Sequence, residues 1–480
     1  MRRSRLAAVA AGGVGAVAAA TALASALADT RTKRAMRVWR LTARNTSRFV
    51  ATRIRRLATP EERRAELDAQ FAIRSAEDVA RELGDMKGVL MKVGQLVSYI
   101  AEGLPDEAQR ALAALQADAE PMAPSLAAAV VAEDLGGQPE RVFAEWTDLP
   151  HAAASVGQVH RARTRDGDEV AVKVQYPGVS EAIEADLDSA EVFYGMFSAL
   201  ALHGLDAQGF VEELRLRMRE ELDYEHELAN LVEFAGYYAG HPWARLPRPV
   251  PELSSARVLT TEWVDGLSWE EFIDRSSPDT KQRAAEVIWR FAQHSVRRLR
   301  AFNGDPHPGN YRFHLDGSVT FLDFGLVKRW QPGEWERLSP TLDAVVVQRD
   351  PEQLVAAMEH AGFLQEGHAL DPEAVFDYVS RPYEPYLVDE FRFSREWMRD
   401  TLAAIIDLNG PHREVIAKLN MPASFVILDR VVWGVSALMG RLSAQGPWRA
   451  MLLEYHADAP PATELGIAEA HWLASRAASR

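Results

Sequence analysis

The chain has 480 residues, and 47% of them are hydrophobic, which is enough to bury a large core. It contains no cysteine, so disulfides, thiolate metal sites and thiol redox chemistry are excluded. Residues 1–56 contain 13 basic residues and one acid, so the net charge of −15 divides into +12 for this segment and about −27 for the rest of the chain. The strongly acidic remainder argues against nucleic-acid binding.

The first segment is an Ala-rich and basic head, residues 1–58. Residues 6–28 are uncharged and long enough to span a membrane, although Ala and Gly insert weakly. Three interpretations are open: a membrane anchor or lipid-associating segment, a flexible Ala-rich tail, and a cleaved export signal. Ten basic residues between Arg31 and Arg56 match an anionic lipid surface and favour the cytoplasmic side for this part of the chain.

A helical extension is predicted at residues 59–140. Thr59 is a good N-cap residue, and the Pro-Glu-Glu that follows it fits a first helical turn. A second helix is predicted from Ser75, where apolar residues recur every three or four positions and place one face in a core. Lys92 and Gln95 lie beside that apolar stripe.

The pattern changes to β structure from about residue 141. Two runs, residues 155–163 and 169–175, are rich in β-forming residues, and the Asp-Gly pair at 166–167 is a turn signal between them. The further predicted elements are a helical segment at about 179–238, short strands within 257–263 and 319–323, and a mostly helical region at about 334–453.

The strongest chemical signal is Gly-Asp-Pro-His-Pro-Gly-Asn at residues 304–310, followed by Leu-Asp-Phe-Gly at 322–325. Asp305, Asn310 and Asp323 have the spacing of the kinase residues that position an acceptor hydroxyl and hold magnesium at the phosphates. Carboxylate and amide oxygens suit magnesium, which neutralises a triphosphate during transfer. Taken singly, each aspartate is also typical of a turn, and the combination carries the interpretation.

A second cluster surrounds Lys173 in Val-Ala-Val-Lys. In kinases the lysine of such a strand contacts the nucleotide phosphates and pairs with a helix acid, for which Glu227 is the predicted partner. The preceding loop lies where a kinase phosphate loop has glycines, and its candidate nucleotide-binding residues are Ala152, Ala153, Ala154, Ser155 and Gly157. Alanine should change how the nucleotide sits, because backbone approaches phosphate most easily at glycine. The alternative is an ordinary hairpin with an exposed lysine.

Two further pairs complete the candidate site. Glu221 and Asp223 belong to an acidic run, for which a solvated surface is the alternative interpretation. Glu262 and Val264 are predicted to lie in the hinge whose backbone contacts adenine, although periodicity alone predicts an ordinary strand end there.

These motifs resemble the UbiB/AarF family of atypical protein-kinase-like proteins, over about residues 75–444. The resemblance rests on K-x-G-Q at Lys92, Gly94 and Gln95, the alanine-rich loop, V-A-V-K, E-x-D at Glu221 and Asp223, G-D-P-H-P-G-N and L-D-F-G. It implies an α+β, protein-kinase-like two-lobed fold. The N-lobe would be residues 141–265, the mainly helical C-lobe 266–455 and the C-terminal tail 456–480.

The resemblance also implies a function. The chain would be an atypical kinase or ATPase that binds ATP or ADP with Mg²⁺, in which the K-x-G-Q segment and the E-x-D pair gate the site against peptides. Lipid or isoprenoid quinone (ubiquinone-type) metabolism is implied, with a nucleotide, a lipid or quinone-type molecule and a membrane surface as partners and no nucleic acid. Two alternatives are a non-catalytic nucleotide-binding scaffold and a small-molecule phosphotransferase of the antibiotic or choline kinase type.

Overall fold

Strands are concentrated before residue 330. The computed structural model describes residues 122–154, 156–180, 219–220, 222–407, 410–420 and 422–478. In chain order, its strands are β1 (Glu145–Trp146), β2 (Ala152–Ala153), β3 (Gly157–Arg163), β4 (Glu169–Gln175), β5 (Ala244–Arg245), β6 (Val258–Glu262), β7 (Ala301–Asn303), β8 (Tyr311–Phe313), β9 (Val319–Phe321), β10 (Val327–Arg329), β11 (Phe391–Arg392) and β12 (Gln445–Gly446).

Helices make up most of the remainder. They are α1 (Pro124–Leu135), α2 (Pro139–Val142), α3 (Tyr224–Tyr237), α4 (Trp269–Arg275), α5 (Pro278–His294), α6 (Glu334–Leu342), α7 (Pro351–Ala361), α8 (Pro372–Ser380), α9 (Arg395–Ile406), α10 (Arg413–Lys418), α11 (Ala423–Leu442), α12 (Trp448–His456) and α13 (Glu464–Ala478). The segment 456–480, predicted as a tail, thus contains a helix of 15 residues.

The first sheet positions Lys173. Its strands are antiparallel in the order β1-β3-β4-β6, with β2 also paired to β3. Val170, Val172 and Val174 of β4 are buried in a core that includes residues of α1. Because side chains alternate across a strand, Lys173 lies on the opposite face of β4. The alternation of β4 therefore places one face in a core and presents the lysine on the other.

Gly157 begins β3 at a point where two strands approach very closely. A Cβ at Gly157 would lie 2.3 Å from the carbonyl oxygen of Val174, so any side chain would force β3 and β4 apart. We expect Gly157→Ala to lower the free energy of unfolding by about 2–3 kcal/mol. Denaturant titration measures this loss. Gly236→Ala is the matched control, because no atom lies within 4 Å of its added Cβ and alanine favours the helix.

His160 is a fully buried histidine of β3. Its Nδ1 lies 2.8 Å from the Thr147 carbonyl oxygen and its Nε2 lies 2.8 Å from the side-chain amide of Gln158. Burial lowers the pKa of His160, because the charged ring needs water that the core lacks. As the pH falls, His160 is therefore protonated at a higher pH in the unfolded chain than in the folded protein.

This burial predicts acid sensitivity of the fold. The contribution of His160 to stability is complete above about pH 6.5, the unfolded value, and declines as the pH falls below it. We expect the melting temperature to drop between about pH 7.5 and about pH 5.5, and to drop less in His160→Gln. The exposed His151 supplies the control, since His151→Gln should keep the wild-type pH dependence. Equal pH dependence in His160→Gln and wild type would contradict the assignment.

The helical region has one extended apolar core, of which α5 forms the centre. Ser277 caps this helix by accepting from the Thr280 amide, and Pro278 begins it, where its missing N–H costs nothing. Trp289 and Phe291 of α5 are buried in the core together with β7, β8 and β9. The candidate metal-binding residue Asn310 directly precedes β8, and Asp323 lies two residues after β9. The core that holds these strands therefore also holds the site in place.

Several sequence predictions are confirmed. The strand, turn and strand pattern appears as β3, the turn at Gly167 and β4, and the later strands appear as β6 and β9. The region from residue 334 is mostly helical, as predicted. The head at residues 1–58 and most of the extension at 59–140 lie outside the described residues. Among the residues that the structure describes, no helix has the length and apolar character needed to cross a bilayer.

Candidate functional site

Lys173 lies at the centre of the site. Its Nζ donates to Glu227 Oε2 at 2.9 Å and lies 3.8 Å from Asp323 Oδ2. Burial by itself would lower the pKa of Lys173, but Glu227, together with Tyr224 and Asp323, outweighs this effect and raises the pKa well above its usual value. The amine is therefore a fixed cation between a helix acid, Glu227, and an acid two residues after β9, Asp323.

The glutamate is held by the start of α3. Asp223 is the N-cap residue of this helix, and its carboxylate accepts from the His226 amide at 3.0 Å. Glu227 follows one turn later and its side chain is only 4% exposed. A buried carboxylate needs a cation to offset its lost hydration, and Lys173 is that cation here. Asp223 thus lies beside the ion pair as a helix cap.

The segment after β7 forms a tightly bonded loop around Asp305. The Asp305 amide donates to Asn303 Oδ1 at 2.7 Å, and Asn310 Nδ2 donates to Asp305 Oδ2 at 3.2 Å. Asn303 Nδ2 donates in turn to the Asp323 carbonyl oxygen at 2.6 Å. The motifs at residues 304–310 and 322–325 are therefore joined by hydrogen bonds through Asn303.

Arg430 also reaches this loop, from the distant helix α11. Its Nη2 donates to Asp305 Oδ1 at 2.6 Å, and the Asp305 side chain is 4% exposed. A charge-assisted bond of this length fixes the orientation of the carboxylate. The sequence does not indicate Arg430 as a site residue, because nothing in the pattern of an amphipathic helix distinguishes an arginine that faces a site from one that faces water.

A hydrogen bond from a backbone amide to a side chain stabilises the turn from Asp323 to Gly325. The Gly325 amide donates to Asp323 Oδ1 at 3.0 Å, which leaves Asp323 Oδ2 as the oxygen beside Lys173. Asn230 of α3 donates to the Phe324 carbonyl oxygen at 2.9 Å. Asn230 is a second site residue that no sequence motif indicates, and its hydrogen bond joins α3 to this turn.

The donor set fits a hard divalent cation. Asn310 uses its amide nitrogen for Asp305, so its Oδ1 is left as a metal-binding atom. Asp323 contributes a carboxylate whose side chain is 32% exposed, the most accessible acid of the group. Amide and carboxylate oxygens, with no histidine or thiolate among them, suit Mg²⁺ with phosphate and water completing its shell.

The alanine-rich loop and the hinge segment border the same sheet. Ala152 and Ala153 form β2 on β3, and the Ala154 amide donates to the Gly157 carbonyl oxygen at 2.8 Å. Glu262 ends β6, whose Leu259 is the register partner of Lys173. The Trp263 amide donates to the Glu169 carbonyl oxygen at 2.9 Å, after which the chain leaves the sheet at Val264.

Five predicted site residues lie outside the part of the chain that the structure describes. They are Lys92, Gly94, Gln95, Ser155 and Glu221. The described residues bring together Lys173, Glu227, Asp305, Asn310 and Asp323, directly or through one intervening side chain. The predicted gating segment stays a prediction.

Comparison with known proteins places the chain in a family. A family model described as the ABC1 atypical kinase-like domain matches residues 114–358. The chain therefore belongs to the ABC1 atypical kinase-like family, the UbiB/AarF family that its motifs resemble. The expected α+β, kinase-like fold class is confirmed at this level.

Curated relatives are about 30% identical to this chain over the aligned part. An uncharacterised aarF domain-containing chloroplastic protein kinase of Arabidopsis thaliana is 31% identical over 266 residues, which cover 55% of this chain and 37% of the relative. The mitochondrial atypical kinase COQ8 of Saccharomyces cerevisiae is 30% identical over 249 residues, which cover 52% of this chain and 49% of the relative. The chain thus spans about half or less of the length of these relatives.

A solved structure covers more of the chain. The Mycobacterium tuberculosis protein Rv3197, solved as a complex with erythromycin, is 33% identical and has a TM-score of 0.59. The match covers 81% of this chain and 97% of that protein.

Proposed function

We propose that the chain is an atypical kinase or ATPase that binds ATP or ADP with Mg²⁺ in a two-lobed, protein-kinase-like cleft. One observation carries the proposal: the Lys173 amine lies 2.9 Å from a helix glutamate and 3.8 Å from Asp323. Kinases hold a nucleoside triphosphate with the same arrangement, in which a lysine pairs with a helix glutamate and lies near a metal-binding aspartate. The sheet region to residue 265 and the helical region after it would form the two lobes.

Each residue has a distinct role in this proposal. Lys173 contacts the phosphates and Glu227 orients it, while Asn310 and Asp323 hold Mg²⁺. Bound Mg²⁺ would neutralise charge on the phosphates during transfer. Asp305 accepts or orients the proton of the attacking hydroxyl or water, and Arg430 holds that carboxylate in place. Glu262 and Val264 would contact adenine through the backbone.

The alanine-rich loop changes how the phosphates are covered. Strand β2 pairs with β3 through Ala152 and Ala153, so this part of the loop is drawn into the sheet. Methyl groups there would keep the backbone farther from a phosphate than glycine does. We therefore assign Ala152, Ala153, Ala154, Ser155 and Gly157 to nucleotide binding and expect the preferred nucleotide to be set by this loop.

The substrate class follows from the family resemblance. We propose lipid or isoprenoid quinone metabolism of the ubiquinone type, in place of protein phosphorylation, with Lys92, Gly94, Gln95, Glu221 and Asp223 closing the site to peptides. The basic head at residues 1–56 would bring the chain to an anionic membrane surface on the cytoplasmic side. The negative charge of the remainder disfavours nucleic acid as a partner.

A small-molecule phosphotransferase is the second candidate. Its specific support is the erythromycin complex of the related Mycobacterium tuberculosis protein. Loss of ATP in the presence of erythromycin, with a mass increase of the macrolide, would favour this candidate. Turnover with lipid or quinone-type hydroxyls alone would favour the first.

ATP hydrolysis by Asp305→Asn tests catalysis against a scaffold role. We expect wild type to hydrolyse Mg-ATP and the variant to be slower by about 100-fold, because a general base typically contributes two to four orders of magnitude. Asparagine keeps the shape of the side chain, so nucleotide binding should be nearly unchanged. Wild-type turnover no faster than that of the variant would support the non-catalytic scaffold.

A further inference from the structure

The last described helix, α13, packs closely against the helical region. Its Glu469 and Trp472 are only 3% and 8% exposed. Gly466 lies against a buried ion pair, so that an added Cβ would be 2.7 Å from both Arg290 Nη2 and Glu454 Oε2. Because the backbone of α13 approaches this buried pair so closely, the helix has little freedom to shift.

Two side chains of α13 contact the carboxyl end of α3. Arg476 donates through Nη1 to the carbonyl oxygen of Tyr237, the last residue of α3, and its guanidinium lies 5.1 Å from the centre of that ring. Trp472 Nε1 donates to the Ala239 carbonyl oxygen at 3.3 Å. The last carbonyls of a helix lack partners within it, and a cation there interacts favourably with the helix dipole. Arg476 therefore caps α3.

Glu469 anchors α13 to the helical region. Its carboxylate accepts from His294 Nδ1 at 2.7 Å and from the Tyr455 hydroxyl, and Arg290 Nη1 lies 3.6 Å away. Burial by itself would raise the pKa of Glu469, but the neighbouring His241 and His294 outweigh this effect and lower the pKa to about 2. The anchor is therefore an ionised carboxylate at any ordinary pH.

His241, His294 and Glu469 also bring three candidate metal-ligand atoms within 4.8 Å of one another. The bonding of His241 argues against a metal. Its Nδ1 accepts from the Ala244 amide at 3.2 Å, so the neutral ring carries its proton on Nε2, 3.5 Å from Glu469 Oε1. A metal on Nε2 would require the other tautomer, in which two N–H groups face each other. The cluster is a hydrogen-bonded anchor.

Helix α3 connects this anchored end to the ion pair of the site. Glu227 lies in its first turn and Tyr237 ends it, about 15 Å away at 1.5 Å of rise per residue. Asn230 bonds the helix near its start to the Phe324 carbonyl oxygen. A helix of 14 residues moves largely as one body, so we expect release of its carboxyl end to shift Glu227 near its amino end.

We propose that α13 is a positioning element, in which Arg476 and Trp472 hold α3 so that Glu227 stays against Lys173. The consequence for nucleotide binding rests on the proposed function, because it requires Lys173 to contact phosphates. The ion pair itself can be measured without any nucleotide. Its integrity therefore tests the positioning role separately from the ATP-dependent function.

The experiment is acylation of the Lys173 amine in the full chain without nucleotide. A small N-hydroxysuccinimide ester of acetate is the probe, and mass spectrometry follows the modified peptide. The side chain of Lys173 is 16% exposed and paired, so wild type should react slowly. We expect Arg476→Ala to react about threefold to tenfold faster. Arg476→Lys, which keeps the cation, should be close to wild type.

His471→Ala is the matched control, because His471 lies on the same helix and is exposed. Its Lys173 should react at the wild-type rate. Hydrogen exchange of residues 224–237, recorded in parallel, should accelerate in Arg476→Ala and stay at the wild-type rate in His471→Ala. A second variant, Trp472→Phe, keeps an aromatic ring in the core and removes only the Nε1 donor, so it supplies the same comparison should Arg476→Ala lose its fold.

Equal acylation of Lys173 in wild type and in a folded Arg476→Ala or Trp472→Phe protein would overturn the proposal. Faster exchange in α3 without faster acylation would overturn it as well, because α13 would then hold the helix and not the ion pair. Nucleotide binding is measured in a separate titration. Its absence in wild type would contradict the proposed function while the acylation rates still decide the positioning role.

Discussion

Asp323→Asn is expected to lower Mg-ATP hydrolysis by at least about 100-fold while leaving the fold intact. The variant keeps one oxygen of similar position but removes the negative charge on which the proposed Mg²⁺ site depends. It also removes one of the two carboxylates beside Lys173, which still has Glu227 at 2.9 Å. Steady-state phosphate release at saturating Mg-ATP measures the loss, and titration calorimetry measures the accompanying loss of nucleotide affinity.

Asp168→Asn serves as the control for this prediction. Asp168 is an aspartate of the first sheet region whose side chain is 55% exposed and pairs with Arg248 at 2.7 Å. Exposed ion pairs contribute little to stability, so this variant should hydrolyse ATP like wild type. Hydrolysis by Asp323→Asn at the wild-type rate would remove Asp323 from the metal site.

Arg430→Met is the second change with a large expected effect. It leaves the nearly buried Asp305 carboxylate without the guanidinium that donates to it at 2.6 Å. Removal of one partner from a buried pair costs about 3–5 kcal/mol of stability, and a carboxylate that loses its guanidinium partner is held less firmly in the orientation proposed for catalysis. We therefore expect both a lower free energy of unfolding and ATP hydrolysis reduced by about 100-fold.

A double-mutant cycle separates these two effects. Arg430→Met combined with Asp305→Asn removes both charges, so the pair should recover much of the lost stability without recovering hydrolysis. Arg441→Met, at an exposed arginine of the same helix that stacks on Trp269, should leave hydrolysis unchanged. Additive stability losses in the double variant would show that Arg430 and Asp305 do not act as a pair.

The local part of this site could be predicted from the sequence. Val-Ala-Val-Lys alternates as a half-buried strand must, and the structure has Lys173 on the face opposite its buried valines. Helix order alone predicts Glu227 as the partner of Lys173, and the two side chains lie 2.9 Å apart in the structure. The spacing of Asp305, Asn310 and Asp323 reflects one loop and one hairpin, which are also local.

The long-range contacts could not be predicted in the same way. Arg430 lies 125 residues from Asp305, and nothing in its own helix indicates which element it faces. The burial of α13 depends on Glu469 meeting donors from three other segments, whereas a charged, Ala-rich sequence is equally typical of an exposed helix. The loop motif predicts a nucleotide-binding role for Gly157, and the structure adds a packing reason for a glycine there, the close approach of the Val174 carbonyl.

Nucleotide-dependent thermal stabilisation of the wild-type chain, with and without Mg²⁺, tests the central claim most directly. If Lys173 and the oxygens of Asn310 and Asp323 hold one polyphosphate, millimolar ATP should raise the melting temperature, and Mg²⁺ should enlarge the rise. Lys173→Ala should show a much smaller rise. An unchanged melting temperature for wild type at millimolar ATP and Mg²⁺ would contradict the assignment of this cleft to a nucleotide.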